Sequence, residues 1–158
     1  MKTIRITIQT EPTAKGRPRT KFINGQAITY TPTKTKEAED FIRGRLLRHR
    51  EEIFPPFVPV RLSCTFYRTK SKYLPRRETM PYRRPDADNL LKLLLDSLNG
   101  ILVPDDSQIT TLSVRKRWSS TGEGYITLKL EPDSLKGDDN ATESNLQDSD
   151  AASRDSQG

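Results

Sequence analysis

The stretch PDADNLLKLLLDSLNGILVPDDSQ, residues 85–108, decides how the chain folds. It reads as an apolar helix from Asp88 to Asn99, stopped by Gly100 where a left-handed C-cap favours glycine. Leu90, Leu91, Leu94, Leu95 and Leu98 recur at helical spacing and form the face that must be buried. Asp86 and Asp88 stand at the entrance, two residues apart, so an extended segment points both carboxylates the same way, and Asp88 is also the expected N-cap. Asp105 and Asp106 follow the exit, where a tight chain reversal is expected to return at least one carboxylate to the first pair. Each pair alone is an ordinary cap or turn; together, around one helix, they have the composition of a metal-ion site.

Strands flank this helix. Upstream, Val60 to Tyr67 alternates, with Val60, Leu62, Cys64 and Phe66 on one face. Downstream, Ile109 to Trp118 and Tyr125 to Leu130 are two strands joined by SSTGEG, which predicts a β-hairpin. At the start of the chain, Ile4, Ile6 and Ile8 mark another half-buried strand. Phe22 to Tyr30 reads as a hairpin turning at Asn24-Gly25, the preferred type I′ pair. A second helix starts from Thr33 or Thr35 as N-cap, carries Ala38, Phe41, Ile42, Arg45, Leu46 and His49 on one side, and ends before Pro55-Pro56. The expected fold is a single α+β domain over residues 1–130, a mainly antiparallel or mixed sheet packed against two helices.

The formal net charge of +6 hides a division. Residues 131–158 hold eight acids and two bases, a net of −6, which leaves +12 on residues 1–130. That excess is the footprint of a polyanion partner, foremost nucleic acid, against the plainer reading of a soluble basic protein. The last segment is poor in large apolar residues, so it is expected to be an acidic disordered tail. Cys64 is the only cysteine, which excludes a disulfide framework and a thiolate cluster. No run resembles a signal peptide or approaches a membrane span, so the expectation is a soluble cytoplasmic protein.

Two basic loops suit DNA phosphates. EPTAKGRPRTK, residues 11–21, concentrates Lys15, Arg17, Arg19 and Lys21 where Pro12, Gly16 and Pro18 forbid regular structure. Arg68 to Arg84 carries seven bases against one acid, with Arg76, Arg77, Arg83 and Arg84 alongside Tyr73 and Tyr82, aromatics able to stack on an unpaired base. Solvated loops are the plain alternative for both. His49 stands alone and is left outside the site.

Carboxylate oxygens suit Mg²⁺ or Mn²⁺, and Mg²⁺ commonly takes few protein carboxylates plus substrate phosphate. Lys92 shares a helix face with Asp88 and Asp96, so it is directed at the carboxylates, with Asp96 expected to orient it.

PDADNLLKLLLDSLNG followed by DDSQI resembles the signature of the RusA family of Holliday-junction resolvases, with weaker similarity in KGRPR (Lys15 to Arg19) and YTPTKT (Tyr30 to Thr35). The resemblance implies a RusA-like fold and a Mg²⁺-dependent endodeoxyribonuclease. Such an enzyme nicks four-way DNA junctions symmetrically as a homodimer, in recombination and repair, in a bacterial or prophage setting. It assigns metal binding to Asp86, Asp88 and Asp106 and catalysis to these with Lys92. Asp105 and Asp96 match recurring acids of the family in a supporting position. The alternatives are a less selective metal-dependent nuclease on other branched DNA, or a non-catalytic DNA-binding recombination protein.

Overall fold

In the computed structural model, which describes residues 3–134, the chain runs β1 (Ile4–Ile8), β2 (Arg19–Ile23), β3 (Gln26–Tyr30), α1 (Thr33–Leu46), β4 (Val60–Arg68), α2 (Ala87–Leu98), β5 (Ile109–Trp118) and β6 (Tyr125–Pro132). Short 3-10 helices at Leu47–Glu52 and Asp106–Gln108 follow α1 and precede β5.

Four strands form one mixed sheet in the order β1-β6-β4-β5. β6 is antiparallel to both β1 and β4, whereas β4 and β5 are parallel. Parallel neighbours need a crossover, and α2 supplies it. The β5–β6 hairpin expected from SSTGEG is therefore not formed: β4 lies between the two strands. The loop passes over the end of β4, where Ser119 N–H donates to Arg68 O at 2.8 Å. Loop length alone does not distinguish a turn to the adjacent strand from a step across one.

Alternation decides the inner face. Ile6, Leu128, Cys64 and Val114 lie in register across the four strands. Together with Phe66, Leu62 and Leu130 they meet Ile42 and Leu46 of α1 and Leu90, Leu93, Leu94 and Leu98 of α2 in one core. The buried face of α2 is rotated from the expected stripe: Leu91 and Leu95 are half-buried, while Leu93 and Ser97 are buried. Ser97 is accommodated because its hydroxyl donates to Leu93 O at 2.7 Å. Burial pushes the Cys64 thiol up to about 12, consistent with a packing role.

The β2–β3 hairpin turns at Asn24 and Gly25, both at positive φ (49° and 76°), but every residue of its strands is exposed, so its apolar residues join no core. It begins at Arg19, which moves Arg19 and Lys21 from the loop onto a strand. The N-cap of α1 is Pro32 rather than a threonine; Thr33 opens the helix, and the Thr35 hydroxyl accepts the Gly16 N–H. Phe41 is exposed, and His49 falls in the 3-10 helix with Nδ1 2.9 Å from Glu52. β6 runs past Leu130 to Pro132 and Asp133 is held by side-chain bonds, so the domain continues beyond residue 130. The remainder of the expected disordered tail lies outside the described residues.

Candidate active site

At the start of α2 the extended backbone of Asp86 (φ −72°, ψ 147°) makes it the N-cap in place of Asp88, and its carbonyl accepts the Leu90 N–H at 3.2 Å. Its carboxylate makes no capping bond. Asp88 lies in the first turn and Lys92 one turn further, with Nζ 3.3 Å from Asp88 Oδ2. Asp86, Asp88, Asn89 and Lys92 form one wall of a cavity of about 450 Å³, and the loop from Lys15 to Pro18 forms the other.

Three contacts hold that loop. Lys15 N–H donates to Asn89 O at 2.9 Å, the Lys15 ammonium pairs with Asp96, and Gly16 N–H donates to Thr35 Oγ1 at 2.9 Å. A Cβ on Gly16 would stand 2.7 Å from that hydroxyl, so the approach requires glycine. Asp96 thus anchors Lys15 instead of orienting Lys92. Helical side chains lean towards the N-terminus, which turns Lys92 to Asp88 and away from Asp96. Arg17 remains exposed on the rim.

Lys116 lies behind the carboxylates. Its Nζ donates to Arg83 O at 3.0 Å and Pro85 O at 2.9 Å, fixing the backbone that delivers Asp86. Loss of solvent, and then the Arg68 guanidinium, lower its pKa, while Asp86 opposes them. Its mark in the sequence is its position: a lysine two residues after Val114 occupies an inward-facing place on β5, where an apolar residue is the norm.

The basic segment after β4 is organised on Glu78, which is only 5% exposed. Its carboxylate accepts Arg83 Nε at 3.2 Å and raises the Arg83 pKa, while its backbone carbonyl accepts Lys70 Nζ at 2.7 Å and Trp118 Nε1 at 3.1 Å. Arg76, Arg77 and Arg84 are exposed around this hub. Lys21 lies over the Tyr30 ring on the projecting hairpin.

Asp105 and Asp106 are not brought to this cavity. They lie at the far end of α2, whose 12 residues span about 18 Å. There Gln108 ties the Asp106–Gln108 turn to Pro55 O and Val58 O at 2.9 and 3.0 Å, and Ile109 pairs with Val60 at the start of β4. A parallel crossover necessarily leaves the two ends of its helix at opposite ends of the strands, so the expected chain reversal does not close the site. Asp105 caps this turn, and hydrogen bonds from Ser107, its N–H at 2.8 Å among them, lower its pKa. Asp106 is exposed.

Among the described residues no three His, Cys, Asp or Glu side chains converge as a metal-binding group. The pair Asp86 and Asp88 nonetheless fits a hard divalent cation, because two carboxylates open to a cavity leave positions for water and phosphate oxygens.

The family model for endodeoxyribonuclease RusA matches residues 9–129. An uncharacterised protein of Bacillus subtilis (strain 168), YqaN, is 31% identical over 129 residues, covering 75% of this chain and 90% of its own. The matched span takes in the Gly16 loop, both helices and all four acids around α2, and the chain belongs to the RusA family of endodeoxyribonucleases.

Proposed function

We propose that this chain is a Mg²⁺-dependent endonuclease, with Mn²⁺ as a substitute, that resolves four-way DNA junctions by paired symmetric nicks in recombination and repair. The observation that carries this is the cavity in which Asp86, Asp88 and Lys92 face Arg17 in a member of the RusA family. Asp86 and Asp88 would hold the ion. Bound there, it supplies charge neutralisation at the phosphate and activation of water. The chain contributes the rest. Lys92 brings positive charge beside the phosphate, Lys116 fixes the backbone that presents Asp86, and the Lys15–Asp96 pair holds the opposite wall in place.

Arg17, Arg19, Lys21, Arg76, Arg77, Arg83 and Arg84 would contact backbone phosphates, Arg83 while retaining its bond to Glu78, with Lys15 acting as an anchor in the free protein. A homodimer suits a two-fold junction. It also offers a role for Asp106: exposed at the far end of α2, it would complete the Asp86 and Asp88 pair of a second copy. The setting would be the bacterial cytoplasm, in keeping with the Bacillus subtilis relative.

The test is nicking of a synthetic four-way junction by wild type and Asp88→Asn, with Mg²⁺ or EDTA. Nicking by wild type with Mg²⁺, and a drop of at least ~100-fold in the variant, are expected from loss of a group acting at the transition state. Tight junction binding without nicking would instead identify a binding protein.

A further inference from the structure

Next to the cavity of Asp86 and Asp88 lies a second one of about 570 Å³, whose lining is cationic. Gly16 and Arg17 line both, and Pro85, which lines the second, directly precedes Asp86, which lines the first. The two are therefore neighbours along the same groove. Arg17, Arg19, Lys34 and Arg68 converge on the second cavity from the loop, β2, the first turn of α1 and the end of β4. Glu11 is the single acid in the lining, and its carboxylate is engaged by Thr69, accepting the hydroxyl at 2.7 Å. Arg68 adds a specific demand: Nη1 donates to Arg84 O at 3.1 Å, but its buried Nε has no hydrogen-bond partner. The cavity meets the remaining guanidinium N–H groups of Arg68, donors of the kind a phosphate oxygen accepts from. Pro32 and Pro85 supply apolar surface of the kind a sugar or base packs against.

We propose that this cavity seats the nucleotide adjoining the cleaved phosphodiester, unstacked from its neighbours, with its phosphate among Arg17, Arg19, Lys34 and Arg68. The proposal rests on the nuclease reading of the adjacent carboxylates. Its volume lies within the range of small-molecule sites, which run from about 300 to 1,000 Å³. A base inside a continuous duplex must break its stack to enter, whereas a nucleotide at a branch point gives up less. The pocket therefore selects branched DNA over linear duplex through the cost of unstacking, without reading base edges.

The experiment uses a four-way junction carrying 2-aminopurine at its branch-point nucleotides, in EDTA so that no cleavage is needed, with linear duplex of equal length as comparison. Binding of wild type should raise 2-aminopurine emission. Lys34→Glu, an exposed change compatible with folding, should weaken junction binding about tenfold and duplex binding less than about twofold, because lost phosphate contact and lost selectivity are separable. Arg68→Gln, with its fold checked by circular dichroism, should remove the emission rise. No emission change with wild type, or equal weakening on both DNAs by Lys34→Glu, would overturn the proposal. A failure of the nuclease reading would be distinct: wild type would leave the same junction intact with Mg²⁺ whatever its emission did.

Discussion

Asp133 closes β6 onto β5: its carboxylate accepts the hydroxyls of Thr110 and Thr111, each at 2.6 Å, and the Arg61 guanidinium at 3.1 Å. These hydrogen bonds, with Thr110 the largest cause, hold its pKa below the ordinary aspartate value. A carboxylate whose pKa falls on folding adds stability that is complete above the unfolded value, about 4, and is lost as pH falls through the folded one. Asp133→Asn should therefore melt below wild type at pH 7 and pH 5, with the gap closing towards pH 3. A gap that stays constant across this range would contradict the linkage. Asp133 also marks where residue-level reading of the sequence ran short. Its acidic, polar surroundings in sequence resemble the tail that follows, and only the positions of Thr110, Thr111 and Arg61 give it a structural role. Lys116 is the opposite case: its place in an alternating strand was visible, but the carbonyls it holds come from Arg83 and Pro85, more than thirty residues earlier.

At the scale of elements, α2 and the β2–β3 hairpin both carry apolar residues but use them differently. Leu94 is fully buried between α2 and the sheet, and Leu94→Ala should cost about 2–5 kcal/mol of folding stability in urea unfolding. Phe22, 77% exposed on the hairpin, contributes no such burial, so Phe22→Ser should change stability by less than about 0.5 kcal/mol. A large loss at Phe22 would mean that the hairpin is covered in solution. Local chemistry made much of this legible: alternation found β1, β4 and β6, Asn24-Gly25 found the hairpin, and the leucine repeat found α2 to within a residue at each end. Strand order was not legible, because β4 separating β5 from β6 depends on the crossover through α2 and not on the SSTGEG loop. The same crossover places Asp86 and Asp88 beside Lys92 at one end of α2 and leaves Asp106 at the other, where no chain reversal returns it.

For the whole molecule, that separation bears on how many chains make one active site. Asp86 and Asp88 sit at one end of α2 and Asp106 at the other, about 18 Å along the axis of a helix too rigid to fold back. If Asp106 is required, it must act from a second copy, and two-fold symmetry then gives two identical composite sites per dimer. Mixed dimers test this directly. Asp88→Asn and Asp106→Asn should each be inactive alone. In a dimer containing one chain of each, one composite site collects both lesions and the other none, so the mixture should recover nicking of one strand per junction. Random exchange of equal amounts makes about half of all dimers mixed, each with one intact site of two, so total nicking should approach about a quarter of the wild-type rate, all of it single nicks without paired cleavage. If Asp106 acted within its own chain, every site in a mixed dimer would carry one lesion and mixing would recover nothing. If Asp106 were dispensable, Asp106→Asn would cleave on its own. Counting single and paired nicks on a junction labelled on both exchanging strands separates these outcomes.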